Sequence, residues 1–228
     1  MRFKKELSRG DLMEELVVIG AGGHAKMVIE AARSRADLRV VACLDLQTSL
    51  TECLGVRVFE ETEERIDSFH RSGSCFFVAL GDNRLRQKVT LRLVEKGCRI
   101  ATIIAASATV SPSASIGEGT VVMPNATIGA CAIVGKGAIL NTASSIDHDT
   151  LIEDFVHIAP GCHLAGNVKV HVGSMLGIGT CVVPSICIGP WATLGANSTV
   201  IRDIPSHSTW VGSPARCIRM ENGSQSSQ

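Results

Sequence analysis

From Ile104 to Val200, every sixth residue is Ile, Leu or Val, seventeen positions in succession without an insertion. A six-residue period matches neither an amphipathic helix at 3.6 nor the two-residue alternation of a plain strand. It matches a solenoid in which each hexad makes one short parallel strand and a bend. Four places beyond the aliphatic residue the chain carries small or short residues, such as Ala108, Ala114, Thr120, Ala126, Ala132 and Ala138. Gly often follows the aliphatic residue directly, as at Gly117, Gly129, Gly135, Gly177, Gly189 and Gly195. With the aliphatic side chains pointing inward and three hexads to a coil, the chain forms a triangular prism whose coils touch only their neighbours. Flat prism faces invite face-to-face packing, so an oligomer is expected.

Composition narrows the setting. The 22 Lys and Arg balance the 22 Asp and Glu, which argues against a phosphate-tracking surface and so against nucleic acid as a partner. Only 4% of the 228 residues are aromatic and Tyr is absent, so the core must be built from aliphatic residues. The nine cysteines are scattered and none forms a C-x-x-C pair, which supports neither zinc nor a disulfide framework. Residues 1–15 are charged throughout and lack the apolar stretch of a secretory signal. No apolar run reaches the roughly 18 residues of a membrane span. A reduced, cytoplasmic protein without a resident metal is expected.

The first hundred residues read differently. Leu16-Val17-Val18-Ile19-Gly20 is a buried-strand pattern, followed by Ala21-Gly22-Gly23-His24-Ala25 and a helix through about Arg35. A second strand runs from about Val40 to Leu44 and ends at Asp45; a third is Phe76 to Leu80, followed by Gly81-Asp82-Asn83 and a helix from about Leu85 to Lys96. Strands alternating with helices predict a small parallel α/β unit, Rossmann-like, with its ligand at the carboxyl ends of the strands. Gly20, Gly22, Gly23, Asp45 and Gly81 all fall there. A helix amino terminus opened by glycines suits a phosphate. Gly20-x-Gly22-x-x-Ala25 with Asp45 further on also fits a dinucleotide such as NAD, but a unit of about 85 residues is half a dinucleotide fold, so a mononucleotide or nucleotide-sugar fits better. The glycines serving a tight turn alone is the plainer reading, and it leaves His24 without a purpose.

Four segments together resemble a known family: Gly-Ala-Gly-Gly-His at 20–24, Leu80-Gly81-Asp82-Asn83-Arg84-Leu85-Arg86, Asn141 through Asp149 with its Asp147-His148-Asp149, and Val211-Gly212-Ser213-Pro214-Ala215-Arg216. With the hexads they are similar to the bacterial hexapeptide-repeat sugar acyltransferases over about residues 15 to 220. The nearest branch is the nucleotide-linked 4-amino-sugar N-acetyltransferases of the UDP-N-acetylbacillosamine N-acetyltransferase type, with sialic acid O-acetyltransferases as relatives. The resemblance implies a left-handed parallel β-helix, a homotrimer, acetyl-CoA lying between neighbouring prisms and a nucleotide-linked amino sugar as acceptor. It divides the chain into a charged extension (1–14), an α/β nucleotide-sugar domain (15–103), the β-helix (104–204) and a C-terminal segment with a disordered tail (205–228).

The same resemblance implies residue roles. His148 matches the general base, with Asp149, where the family commonly has Glu, as the acid that raises its basicity. Asn141 matches a polar active-site residue and His157 a histidine contacting the acetyl-CoA thioester carbonyl. Gly166, Ile178 and Ala196 match the acetyl-CoA groove. Gly22, Gly23, His24, Asp45 and Gly81 match the nucleotide-sugar pocket. Leu46 departs from members that read uracil with a second acid at that place, so GDP- and dTDP-linked sugars stay open. O-acetylation of a sialic acid by the same base, and a nucleotide-sensing scaffold without turnover, are the competing readings.

Overall fold

A computed structural model describes residues 13–46 and 49–220. Most of the charged extension and the Ser- and Gln-rich tail from Glu221 to Gln228, expected to be disordered, lie outside the described residues.

The first unit is a five-stranded sheet with helices on both faces. Its elements are β1 (Glu14–Ile19), α1 (Gly23–Arg33), β2 (Leu38–Asp45), β3 (Glu52–Cys53), β4 (Val56–Glu60), α2 (Glu63–Arg71), β5 (Cys75–Val78) and α3 (Asn83–Glu95). The order is β3-β4-β2-β1-β5, parallel except where β3 meets β4. The sequence reading missed β3, β4 and α2. The β3–β4 turn is Leu54-Gly55, with φ of 49° and 75°, a two-residue hairpin that Leu disguises because Asn or Asp ordinarily marks it. Thr62 caps α2 by accepting from Arg65 N at 3.3 Å, but α2 buries only Ile66 and so shows little apolar period.

Seventeen two-residue strands follow, β6 (Ile103–Ile104) through β22 (Thr199–Val200), and the second residue of each is the inward aliphatic of the hexad pattern. Each strand pairs in parallel with the one three hexads along, as Thr127 with Ser145 and Ile139 with His157. They form three sheets: face A contains Ile139–Leu140 and His157–Ile158, face B Ser145–Ile146 and face C Leu151–Ile152. The fold is the α/β unit followed by a left-handed parallel β-helix. From 119 to 197 every sixth residue has φ between 54° and 72°, nine of them not glycine. Left-handed backbone at each bend is costly for L-residues, and Asn125, Asn167, Asn197 and Asp149 are among those that bear it best. The column ends in a hairpin of β23 (Ser208–Val211) and β24 (Arg216–Met220), β23 adding to face A.

Helix α1 packs one face of the sheet against face A: Ala25, Val28 and Ile29 share a core with Ile103, Val121 and Ile139. The second clamp is polar. Arg86, 1% exposed, donates Nε to Gly137 O at 2.8 Å and Nη2 to Phe155 O at 2.9 Å in the prism, and Nη1 to Leu80 O at 3.0 Å in its own unit. Asn83 Nδ2 reaches Gly173 O at 3.0 Å beside it. Among the described residues no carboxylate pairs with Arg86, and burial lowers its pKa to about 10. Replacing it by Met strips the Gly137, Phe155, Leu80 and Gly81 carbonyls of their donor. Arg86→Met should cost roughly 3 kcal/mol or more, read as a lower denaturant midpoint, and Arg86→Lys should restore only part of it; an unchanged midpoint would refute the clamp.

Candidate functional site

Three glycines at the carboxyl edge of the first sheet have no structural need to be glycine. A Cβ on Gly22, Gly23 or Gly81 would meet nothing within 4 Å. Gly20 does need to be glycine: it has φ +105°, and its Cβ would lie 3.1 Å from Ala79 O. The turn thus accounts for one glycine, and the other three leave room for a ligand. Helix α1 starts at Gly23 with no side-chain cap and no acid in its first turn, so its amide donors face that room unspent. Asp45 Oδ2 accepts Ala21 N–H at 2.8 Å and ties the end of β2 to this loop. A cavity of about 320 Å³ beside it is lined by Gly20, Asp45, Leu46, Glu61, Leu80 and Leu85, apolar enough to hold a planar base.

Next to the α1 terminus, the domain seam holds two imidazoles. His24 and His157 have ring centroids 6.4 Å apart. Burial, assisted by the Arg86 charge, lowers the pKa of His24 to about 4 and that of His157 to about 3, so both are neutral at physiological pH. Asn141 Oδ1 accepts Thr142 N–H at 2.8 Å, which turns its Nδ2 toward His157 Nε2 at 3.2 Å. An amide nitrogen only donates, so His157 Nε2 accepts and its Nδ1 carries the proton. That Nδ1, which faces the Gly81 backbone, and His24 Nε2 are both buried and make no hydrogen bond of ordinary geometry. Polar atoms buried this way are costly unless something supplies the missing bond.

His148 occupies another corner of the prism. It follows Ser145–Ile146 on face B, in the bend leading to face C, and its side chain is 54% exposed. Its Nδ1 lies 2.8 Å from Asp149 Oδ2. The carboxylate only accepts, so Nδ1 holds the proton and Nε2 offers a lone pair. The Asp149 bond, followed by the charge of Asp147, raises the His148 pKa above the ordinary imidazole value. Gly166, one coil further, lies directly under the ring: a Cβ there would sit 2.5 Å from His148 Cε1 and Nε2. The glycine is required for the imidazole to lie where it does.

The structure therefore groups the sequence-predicted residues into three sets. Gly22, Gly23, His24, Gly81, Asn141 and His157 line the seam, with Asp45 at its far end. His148, Asp149 and Gly166 share the B–C corner. Ile178 and Ala196, both exposed, stack one coil apart on the A–B corner that also carries Asn141. Within one chain His148 and His157 stand on different faces. The sequence reading missed Arg86 as a clamp and the cavity of about 340 Å³ where Arg84 lies 4.2 Å over the Trp191 ring. Trp191 stacks in turn on Gly173, where a Cβ would be 2.4 Å from the ring. Among the described residues no group of three or more His, Cys, Asp or Glu could hold a metal ion, and no helix is long and apolar enough to cross a membrane.

The chain is similar to known proteins over most of its length. Residues 15–93 match the PglD N-terminal domain. The chain is 38% identical over 111 residues to UDP-N-acetylbacillosamine N-acetyltransferase of Bacillus subtilis (strain 168), a match covering 48% of this chain and about half, 51%, of that protein. PerB of Caulobacter crescentus, crystallised with CoA and GDP-perosamine, superposes with a TM-score of 0.85 at 37% identity, covering 91% of this chain and 99% of that one. The acetyltransferase domain of PglB from Neisseria gonorrhoeae FA1090, in complex with acetyl coenzyme A, gives 0.84 at 36% identity, covering 90% and 99%. By these likenesses and by its fold, the chain belongs to the hexapeptide-repeat sugar acetyltransferases that carry a PglD-type N-terminal domain.

Proposed function

We propose that the chain transfers an acetyl group from acetyl-CoA to the amine of a nucleotide-linked 4-amino sugar. The observation that carries this reading is the His148–Asp149 pair at 2.8 Å, an outward-facing imidazole whose free nitrogen is a lone pair. An amine attacking a thioester carbon gains positive charge and must shed a proton. His148 Nε2 takes it, while Asp149 steadies the imidazolium that forms. Acetyl-CoA supplies the activated acyl carbon. Exposed Ile178 and Ala196 offer a flat apolar strip for its pantetheine arm, and the buried Nδ1–H of His157 is a donor for an oxyanion. The open Gly22-Gly23 terminus and Gly81 receive the nucleotide diphosphate, with the base between Asp45 and Leu46.

Because His148 and the His157 seam lie on different faces of one prism, the reaction centre is completed by a second copy. The B–C corner of one chain meets the A–B corner of the next in a homotrimer. Sedimentation should give the mass of three chains, and a monomer with full activity would contradict the composite site.

His148→Ala should lower turnover by about 10²-fold or more. The assay is release of CoA thiol with UDP-, GDP- and dTDP-linked amino sugars, and free sialic acid as the hydroxyl control. Near-normal turnover in the variant would remove His148 from the mechanism. The base works unprotonated and its pKa is raised in the folded protein, so kcat/KM should fall as the pH drops through that raised value. Asp149→Asn removes the largest cause of the elevation. Its acidic limb should move to lower pH with slower turnover; an unmoved limb would dissociate Asp149 from the base.

A further inference from the structure

The third corner of the prism, between faces C and A, holds a cluster that acetyl transfer to the sugar does not use. Cys187 Sγ lies 3.3 Å from His171 Nε2, and His171 Nδ1 lies 2.9 Å from Glu153 Oε1. Glu153 is itself anchored, its Oε2 accepting the Val172 backbone N–H at 2.9 Å. The coil length creates the arrangement: Glu153 and His171 occupy the same hexad position on successive coils, and Cys187 sits on the next strand, paired in register with Lys169.

Proton positions follow from the donors. The Glu153 carboxylate only accepts, so His171 Nδ1 carries a proton, which leaves Nε2 as the nitrogen that can take the thiol proton. Thiol, base and orienting acid thus stand in the order that activates a nucleophile. The charged groups around Cys187 are Lys169 and His171 on one side, and on the other Glu153 and Asp203, whose Oδ1 accepts the Cys187 backbone N–H at 2.8 Å. Asp154, in the same bend as Glu153, is turned away to Lys136 N. Cys187 is partly exposed, and the His171 and Glu153 side chains are 29% and 35% exposed, so a reagent can reach the sulfur. The three groups form a line with both His171 nitrogens committed, which is not the convergent geometry of a metal site.

We propose that Cys187 is a nucleophile in its own right, one that accepts an acyl group from a thioester of the acyl-CoA class. The Sγ proton passes to His171 Nε2 and the sulfur attacks the thioester carbonyl carbon. The bond from that carbon to the CoA sulfur breaks, and the imidazolium returns its proton to the departing thiolate. One thioester is exchanged for another, with no oxidant or reductant. The donor is the one invoked in the proposed function, but the reactivity of the thiol does not depend on that reading.

The test uses the full chain. Iodoacetamide labelling, resolved by peptide mass spectrometry, should modify Cys187 about 10-fold faster than the exposed Cys217, which has no imidazole beside it. His171→Ala should bring the rate down to that of Cys217, and Glu153→Gln should lower it in part. Incubation with acetyl-CoA and no sugar should add one hydroxylamine-labile acetyl group to Cys187, persisting in His148→Ala and lost in His171→Ala. Equal labelling of Cys187 and Cys217 in the unaltered protein, which requires no variant to fold, would overturn the activated thiol. Fast labelling without an acetyl adduct would overturn the acyl acceptor. Either result alongside normal sugar acetylation would leave the proposed function standing.

Discussion

Within the prism, what brings side chains far apart in sequence together is the coil closing after three hexads. Parallel pairing at that separation places equivalent hexad positions above one another, so each corner of the prism is a vertical column of bends. The A–B column carries Asn141, Ile178 and Ala196. The B–C column carries His148 over Gly166, and the C–A column carries Glu153 and His171. Chemistry on such a scaffold is a matter of which bend a residue falls in. The inward aliphatics are interchangeable by comparison, since any of Ile, Leu or Val fills its rung.

The α/β unit is fixed to this column by an apolar contact and a set of polar ones, among which Arg86 is the buried centre. The α1 contact with face A is area burial without direction, whereas Arg86 reads individual carbonyls on two successive coils and so sets height and rotation. Its charge has a further effect. A guanidinium buried without a carboxylate raises the cost of any second cation nearby, which helps to hold His24 and His157 neutral at the seam. The clamp that orients the domains therefore also sets the protonation state of the groups between them.

The solenoid is legible almost to the residue, because a strict repeat is an unusually strong signal and every hexad aliphatic falls on a strand. The parallel unit is legible in its three main strands, although β2 begins at Leu38 rather than Val40 and β5 ends at Val78. Its hairpin and α2 are hidden by a Leu-Gly turn and a helix with a single buried side chain. His148, Asp149 and the glycine-lined pocket can be named from motif likeness, but their surroundings cannot. That His157 shares a seam with His24 follows from how one domain sits on the other, and no local pattern encodes that. Arg86 stands in a motif without a purpose for the same reason. The Cys187, His171 and Glu153 relay is in principle readable, since Glu153 and His171 are one full coil apart and Cys187 falls just short of another. A search of the cysteines for metal and disulfide spacing alone passes over it.

A bend residue in this prism is never judged alone. Phe155 rests on Gly137, Trp191 on Gly173, Asn197 on Gly179 and His148 on Gly166, each pair one coil apart, with no room for a methyl group between them. The bulk of one member is admitted by the bareness of the other. Mutational effects in this protein should consequently be epistatic along vertical files rather than along the chain: a harmful alanine at Gly166 becomes tolerable once His148 above it is trimmed, whereas at Gly137, Gly173 and Gly179 the positive φ keeps part of the cost in place, and graft designs that move a loop must carry its neighbour from the adjoining coil with it.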